Sequence, residues 1–335
     1  MTDPAPAEVP VLLTGATGFI GRHLLARLLR ADRPVLALCR DSRALADLAH
    51  PRLRVRAGGL EDPECYRPFL TPEVHVMHLA AARGIPGITA QVLRQVNVTA
   101  TLELARLAAR AGVARFVYVS SAFVFGPSTG SPVDETRGVK SREAPTAYIR
   151  SRGEALEAMA ALAEQGLGLV AVCPTIVFGP DHPRHPNRIT GYIRSLVRHR
   201  LDLVVGTGSC VRNLVEVEDV VRGILQAEAR GRPGEAYILG GEEVTHREFN
   251  RIVLDLAGAV PRLRASVPAS LALLAARCAD LLGRQEEGCG YGAALRVLTT
   301  DWRYSSRKAA GELGYSARPF AEGMRRTLEF LGIRP

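Results

Sequence analysis

Lysine is nearly absent from this chain. Of its 43 basic residues only Lys140 and Lys308 are lysines, and the arginines that make up the remainder are scattered from end to end. A net charge of +9 would suit an anionic partner, yet one tryptophan and 5% aromatic residues leave no stripe of rings interleaved with cations for a nucleic acid to stack on. The basic excess reads as a compositional bias toward arginine, and no nucleic-acid partner is expected. Six cysteines, Cys39, Cys65, Cys173, Cys210, Cys278 and Cys289, are widely spaced and form no C-x-x-C pair. That excludes a zinc site of ordinary spacing and a compact disulfide framework, and it suits a reducing cytoplasm. His182 and His185 stand between prolines with no third ligand nearby, so no metal is expected. Long apolar runs are missing too. The most lipid-like stretch, residues 269–282, is broken by Arg277 and Asp280 and falls short of the ~18 residues needed to span a bilayer. Stable membrane insertion is excluded; surface contact is not. Residues 1–10 are polar and proline-rich, unlike a secretory leader.

What is present is an alternation. Residues 9–13 form a short apolar run ending at a glycine turn, and residues 19–29 then repeat apolar positions at helical spacing. Apolar strands follow at 34–38, 53–55, 74–79, 116–119 and 169–173, with helical stretches at 91–110 and 146–164 between the later ones. Strands separated by helices require right-handed crossovers, which predicts an α/β fold: a doubly wound parallel sheet of Rossmann type, covered on both faces. Beyond Pro174 the pattern loosens into a proline-rich excursion at 179–186, helices at 188–199 and 217–229, and a return strand at 236–239. From His246 onward helical segments are broken by Pro261, Pro268, Gly283 and Pro319. The expected division is a dinucleotide-binding domain over 1–180 with a return segment at 213–242, and a smaller, mostly helical substrate lobe over 181–212 and 243–335.

Thr14-Gly15-Ala16-Thr17-Gly18-Phe19-Ile20-Gly21 spaces its glycines G-x-x-G-x-x-G between the first strand and the first helix. Glycines let the backbone close on a pyrophosphate, whose charge the free N–H groups and the helix dipole favour. Gly15, Thr17, Gly18, Phe19, Ile20 and Gly21 form the expected cradle for a dinucleotide. At the end of the second strand, where an NAD-binding chain carries an acidic residue, stands Cys39-Arg40-Asp41-Ser42-Arg43. Guanidinium groups at Arg40 and Arg43 suit a 2′-phosphate and favour NADP(H) over NAD(H); the competing reading leaves both solvated and gives the ribose to Asp41.

Further motifs follow in order. The glycine turn, His78-Leu79-Ala80-Ala81-Ala82, Asn97, Tyr118-Val119-Ser120-Ser121-Ala122-Phe123-Val124-Phe125-Gly126, and Tyr148 with a cation four residues later resemble the extended short-chain dehydrogenase/reductases over nearly the whole chain. The resemblance implies Tyr148 as general acid or base, Ser121 as the hydroxyl that binds the carbonyl oxygen, and Asn97 in a proton relay. Strand alternation turns the neighbouring Ser120 to the opposite face. The resemblance also implies that Leu60, Leu79, Ala80, Ala81, Pro174 and Val177 meet the cofactor together with Tyr148 and Arg152, and that Phe123 meets the substrate. Pairing of two copies through the helices at 91–110 and 146–164 would give a homodimer. Hydride addition to a carbonyl develops negative charge on oxygen, which hydroxyl donors stabilise while a phenol supplies the proton.

One member of this set departs from the family: Arg152 stands where the family carries Lys. Arginine keeps a charge that favours a phenolate neighbour, but it does not lose a proton and its planar fork is longer. Three readings follow: an active enzyme with Arg152 in an electrostatic role, a slower enzyme, or an NADP(H)-binding protein without turnover. Gly59 also replaces a family Asp at the adenine, a contact that is lost or taken over by Asp62.

For the substrate, the motifs divide. Arg212 stands where sugar-nucleotide members place a phosphate-binding Arg, although Cys173 replaces the Arg that precedes Pro174 in them. Residues 268–283, Trp302-Arg303-Tyr304-Ser305-Ser306-Arg307-Lys308-Ala309 and Glu312-Leu313-Gly314-Tyr315 are similar instead to the dihydroflavonol-reductase and 3β-hydroxysteroid-dehydrogenase branch. An apolar helix over the site suits a ring-bearing ketone. Leu271, Leu274, Cys278 and Leu281 at helical spacing serve equally well as ordinary core. A hydrophobic, cyclic small molecule is expected ahead of a nucleotide sugar. Gly126-Pro127-Ser128-Thr129-Gly130 matches the hydrolase string G-x-S-x-G, but Ser131-Pro132 follow where that motif needs a helix.

Overall fold

The computed structural model describes residues 9–85, 87–181, 187–283 and 288–334. Val11–Thr14 (β1) buries all four of its residues, as a strand covered on both faces must. Leu12 and Leu13 enter different core clusters, because successive side chains leave a strand on opposite faces. Gly15, at φ 76°, turns the chain into Phe19–Arg30 (α1), which packs Leu24, Leu25, Leu28 and Leu29 against the sheet. Val35–Cys39 (β2) and Leu53–Ala57 (β3) extend the sheet on one side of β1, and His75–His78 (β4) lies on the other. Ala90–Arg94 (α2), a π-helical stretch over Gln95–Ala100, and Thr101–Arg110 (α3) lead to Arg115–Val119 (β5). Ala147–Glu164 (α4) leads to Leu169–Pro174 (β6).

Ile176–Phe178 (β7), Arg188–His199 (α5), Leu201–Val205 (β8) and Val211–Glu216 (β9) form an excursion, from which Val217–Arg230 (α6) returns the chain to the sheet as Ala236–Leu239 (β10). The central sheet runs β10-β6-β5-β4-β1-β2-β3 and is parallel throughout. Its order reverses between β1 and β4, where the following connections diverge and leave a crevice at the strand ends. This is the doubly wound α/β fold that the alternation predicts.

The end of the chain differs from the predicted run of helices. Glu242–Thr245 (β11) joins β9 and β7 in a three-stranded sheet, and His246–Leu256 (α7) follows. Leu263–Val267 (β12) is a strand, paired parallel to β8, although four of its five residues are exposed. Ala269–Leu282 (α8), Tyr291–Leu298 (α9), Arg307–Leu313 (α10) and Phe320–Phe330 (α11) complete the chain. His182 and His185 lie outside the described residues. Among the described residues no helix is long and apolar enough to cross a membrane. Trp302 is 1% exposed, lies edge-on to Phe123 at 4.5 Å between ring centroids, and donates from Nε1 to Val297 O; it joins the C-terminal segment to the core.

At the opposite end of the sheet from the crevice, Arg33 donates two 2.8 Å bonds to Glu228, and His75 Nδ1 lies 2.8 Å from the same carboxylate. Burial alone would raise the Glu228 pKa, but the bonds from His75 and Arg33 outweigh it and hold this carboxyl below its usual range. The resulting stabilisation is complete above the ordinary carboxylate pKa and is lost as pH falls through the lowered native value. Glu228→Gln is expected to cost about 3–5 kcal/mol at neutral pH. Urea unfolding across pH checks this: the variant should lose part of the acid-side fall in stability, and an unaltered acid limb would refute the assignment.

Candidate active site

β1 and β4 end side by side, with Thr14 opposite His78. A Cβ on Gly15 would stand 2.6 Å from Ala80 N, and one on Gly21 would stand 2.0 Å from Gly15 O. Only glycine allows the turn, the helix start and the segment after β4 to close on one another. No side chain caps α1, whose N-cap is Gly18 and whose first turn has no acidic residue, so its leading N–H groups are open to an anion.

A chain of hydrogen bonds sets this corner. Thr101 Oγ1 donates to Val96 O in the π-helical stretch at 3.3 Å, so it accepts from His78 Nε2–H at 2.9 Å. The neutral ring then accepts at Nδ1 from Thr14 Oγ1 at 2.7 Å, and Thr14 Oγ1 accepts in turn from Ala80 N–H at 3.2 Å. Burial first, and the charge of Arg152 second, lower the His78 pKa to about 3. His78 is a neutral strut rather than an acid or base.

Asn97 is equally committed. Its Oδ1 accepts from Ala82 N–H at 2.8 Å, and its Nδ2 donates to Ala82 O at 3.0 Å and to Ser151 Oγ at 2.9 Å. The amide therefore ties the segment after β4 to α4 one turn beyond the phenol. α4 itself begins where Thr146 Oγ1 accepts from Ile149 N–H. Tyr148 is half-buried and belongs to an apolar cluster with Ala82, Ile88, Ala90, Leu93, Ala147 and Cys289. Gly84 passes so close that a Cβ there would stand 2.8 Å from the Tyr148 Cβ.

Arg152 lies one turn deeper and is 2% exposed. Its Nη2 donates to Val119 O at the end of β5, and its guanidinium carbon stands 4.8 Å from the centre of the Tyr118 ring. The Tyr118 ring in turn stacks on His78, 5.8 Å between centroids. Arg152 Nε and Nη1 have no partner, nor do the Tyr118 and Ser120 hydroxyls. Ser121 follows β5, half-buried, and its hydroxyl makes no bond to the helical turn Ala122–Phe125. The uncapped helix, the close-packed glycines and two unpartnered buried guanidinium donors fit a dinucleotide.

Toward the adenine end, Arg40 is exposed, while Arg43 pairs with Asp41 at 3.1 Å and Asp41 also caps the turn Ser42–Leu45. Leu60 is buried, and Asp62 accepts from Glu64 N–H and from the Cys65 thiol. Pro174 closes β6 and Val177 lies in β7. Phe123 packs edge-on to Trp302 and Tyr304. Ser128 of the G-x-S-x-G string is buried, donates from its backbone to Asp301 O and has no α-helix after it, unlike a hydrolase nucleophile.

Arg212 stands apart, on the second sheet. Its Nη2 donates to Leu298 O at 2.8 Å, its Nε has no partner, and burial lowers its pKa. Around it are Ile176, Tyr192, Leu214, Val244, His246 and Phe249. Tyr192 donates to Asn250 Oδ1 at 2.7 Å and lies 3.0 Å from His246 Nε2, whose pKa burial, then Arg212, lower to about 4. Sequence reasoning missed Tyr192, His246 and Asn250, as it missed Tyr118, Gly84 and Cys289 around Tyr148. For Tyr118 a signal existed, since it alternates with Val119 on β5 and so faces α4. Among the described residues no group of three His, Cys, Asp or Glu side chains could hold a metal.

Comparison with known proteins agrees with this fold. A family model described as the NAD dependent epimerase/dehydratase family matches residues 11–240. Sterol demethylase protein B of Methylococcus capsulatus is 30% identical, covering 90% of this chain and 92% of its own. The 4-hydroxy-2-methyl-3-oxo-4-farnesyl-3,4-dihydroquinoline-1-oxide ketoreductase of Stigmatella aurantiaca is 28% identical, covering 91% of each chain. A double mutant of the dTDP-glucose 4,6-dehydratase of Streptomyces venezuelae, solved with NAD bound, superposes with a TM-score of 0.76 at 28% identity over 96% of each chain.

Each unpartnered buried donor costs about 1–3 kcal/mol until it is met. Arg152→Met removes two of them together with one bond to Val119 O. The variant is expected to melt higher than the wild type without cofactor and to gain less from added NADPH. Thermal unfolding with and without NADPH checks both; a lower melting point with an undiminished NADPH shift would take Arg152 out of the cofactor site.

Proposed function

This chain belongs to the NAD dependent epimerase/dehydratase family, within the extended short-chain dehydrogenase/reductases, and from that premise we propose that it is an NADPH-dependent ketoreductase. It interconverts a carbonyl and a secondary alcohol on a hydrophobic, ring-bearing small molecule. The observation that carries this reading is the apolar setting of Tyr148, with Ala82, Ile88, Ala90, Leu93 and Cys289 in its cluster. A mouth so lined favours a substrate that sheds water easily. The names of the two curated relatives, a sterol demethylase component and a ketoreductase of a farnesylated quinoline, point the same way.

The dinucleotide, when bound, supplies the hydride. Gly15, Thr17, Gly18, Phe19, Ile20 and Gly21 would hold its pyrophosphate, Arg40 the 2′-phosphate, and Leu60, Leu79, Ala80, Ala81, Pro174 and Val177 its flanks. Arg152 offers Nε and Nη1 to the ribose and keeps its positive charge throughout. Tyr148 gives its phenolic proton to the substrate oxygen during reduction and takes it back during oxidation. Ser121 donates to the same oxygen and stabilises the charge that gathers there. Asn97 acts by fixing Ala82 and Ser151 on either side of this centre. Two copies paired through the faces of α3 and α4 complete the reading.

A nucleotide sugar is the second reading, favoured by the unpartnered Arg212 Nε and by the likeness to a dTDP-glucose dehydratase. Against it, Arg212 already spends Nη2 on Leu298 O inside an apolar niche.

Incubating the protein with NADPH and a panel of cyclic ketones, and following loss of nicotinamide absorbance, tests the first reading. Tyr148→Phe is expected to lower kcat by about 10²–10⁴. Tight NADPH binding without turnover on any ketone or nucleotide sugar would leave a non-catalytic cofactor-binding protein. Arg212→Ala separates the substrates: on a neutral ketone KM should move by no more than about threefold, whereas a large rise confined to a phosphate-bearing substrate would favour the sugar nucleotide.

A further inference from the structure

α8 buries none of its residues. Helices α5, α7 and α11 each bury an apolar face, whereas on α8 Leu271, Leu274, Leu281 and Leu282 are 57%, 59%, 78% and 88% exposed. With Cys278, also exposed, the first three repeat at helical spacing, so the stripe that normally meets a core here meets solvent. Ala272, Ala276 and Ala279 lie toward α9 instead, lining an apolar groove with Ala294, Leu295 and Leu298.

The exposed apolar surface does not end with the helix. α8 continues from β12 through Pro268, and β12 pairs with β8 in the register Leu201↔Leu263 and Leu203↔Ala265. Alternation puts these four on one face, and Leu201, Leu203 and Leu263 are all exposed, as is Val260 just before β12. Arg198, Arg200, Arg262, Arg264 and Arg277 are exposed along the same segments. Asp202 is buried, accepts from Asn250 Nδ2 and lies 3.5 Å from Arg264 Nε, and Asp280 accepts from Tyr291 and Gly292 N–H. Exposed leucines bordered by arginines, with no exposed carboxylate among the described residues of these segments, match the chemistry of an anionic lipid surface.

We propose that α8 and the outer face of β8 and β12 dock this protein on an anionic phospholipid bilayer, with the leucines entering the acyl boundary and the arginines meeting headgroup phosphates. A second copy of the chain is the weaker occupant, because a two-fold contact would oppose arginine to arginine with no exposed carboxylate among the described residues of these segments to match. Contact is peripheral, since α8 is too short to span. It also bears on the active site. Gly288 O, after α8, accepts from Ala147 N–H, and Cys289 shares the apolar cluster of Tyr148. Docking would bring the phenol to the boundary where a lipid-soluble ketone resides, although the docking itself does not depend on which ketone is reduced.

Flotation of the full chain with phosphatidylglycerol-containing vesicles, against vesicles of phosphatidylcholine alone, tests the proposal in the absence of substrate. Binding should be confined to the anionic vesicles and weaken as salt is raised. Combining Arg262→Gln, Arg264→Gln and Arg277→Gln should lower vesicle affinity on the order of a hundredfold, from roughly fivefold per arginine near the surface. Combining Leu271→Ser, Leu274→Ser, Leu281→Ser and Leu282→Ser should abolish flotation while circular dichroism and NADPH binding stay as in the wild type. A polarity-sensitive dye on Cys278 should shift to the blue on anionic vesicles. No flotation, equal flotation with neutral vesicles, or an unshifted dye on bound protein would overturn the proposal. So would a wild-type oligomer that does not float and that the leucine variant disperses.

Discussion

A guanidinium that is almost wholly buried, with one carbonyl and one aromatic face for company, sets the terms for the site around it. Arg152 cannot escape the cost of burial by losing its proton, as a lysine can. Its neighbours must therefore be electron-rich or neutral. Val119 O supplies a lone pair where β5 stops, the Tyr118 ring supplies its negative face, and His78 behind that ring is kept uncharged. None of these satisfies Nε or Nη1, and among the described residues no carboxylate does so. The folded chain thus carries an unmet demand for acceptors beneath the crevice. On the proposed reading a ribose would meet that demand, and stability given up by the empty fold would reappear as affinity when the dinucleotide binds.

A frame is needed to hold such a group in place, and two polar residues provide it. His78 links β1, β4 and the π-helical stretch through Thr14 and Thr101, with each proton assigned by the next acceptor. Asn97 links the same stretch to Ala82 and to Ser151 on α4. The wide π turn lets Val96 O receive Thr101 while Asn97 still faces inward. Once both residues are saturated, the segment from Leu79 to Gly84 has little freedom, and Gly84 lies against Tyr148 only because it has no side chain.

Much of this was legible in the sequence, for physical reasons that also mark where legibility ends. Strands β1, β2, β5 and β6 are largely buried and carry apolar runs of three or more residues, while β4 keeps Val76 and Met77 between His75 and His78. β8 and β12 alternate exposed with buried or are nearly all exposed, and their partner lies far along the chain, so no local pattern announces them. The glycine turn is marked by its spacing, whereas Ser121, Tyr148 and Arg152 are picked out by the resemblance to the family. Arg43 is legible in neither way, because a carboxylate two residues away competes for it. Cys289 reaches the cluster of Tyr148 only through the tertiary fold. For α8, periodicity reveals an apolar stripe but not its direction, and the same leucines would suit a core or a surface.

Taken together, the buried groups narrow the proton inventory of the site. Burial and Arg152 keep His78 neutral down to about pH 3. Burial raises the pKa of the Tyr118 phenol despite the nearby guanidinium, and it raises that of the Cys173 thiol to about 12. The residues that surround the end of β5 therefore hold fixed charge states across the range in which an enzyme of this kind works. On the proposed reading, proton movement falls to the hydroxyls of Ser121 and Tyr148, both half-buried where the groups behind them are closed off from water. An arginine side chain does not give up its proton in that range, so the residue one turn beyond Tyr148 adds no further proton donor or acceptor to that inventory.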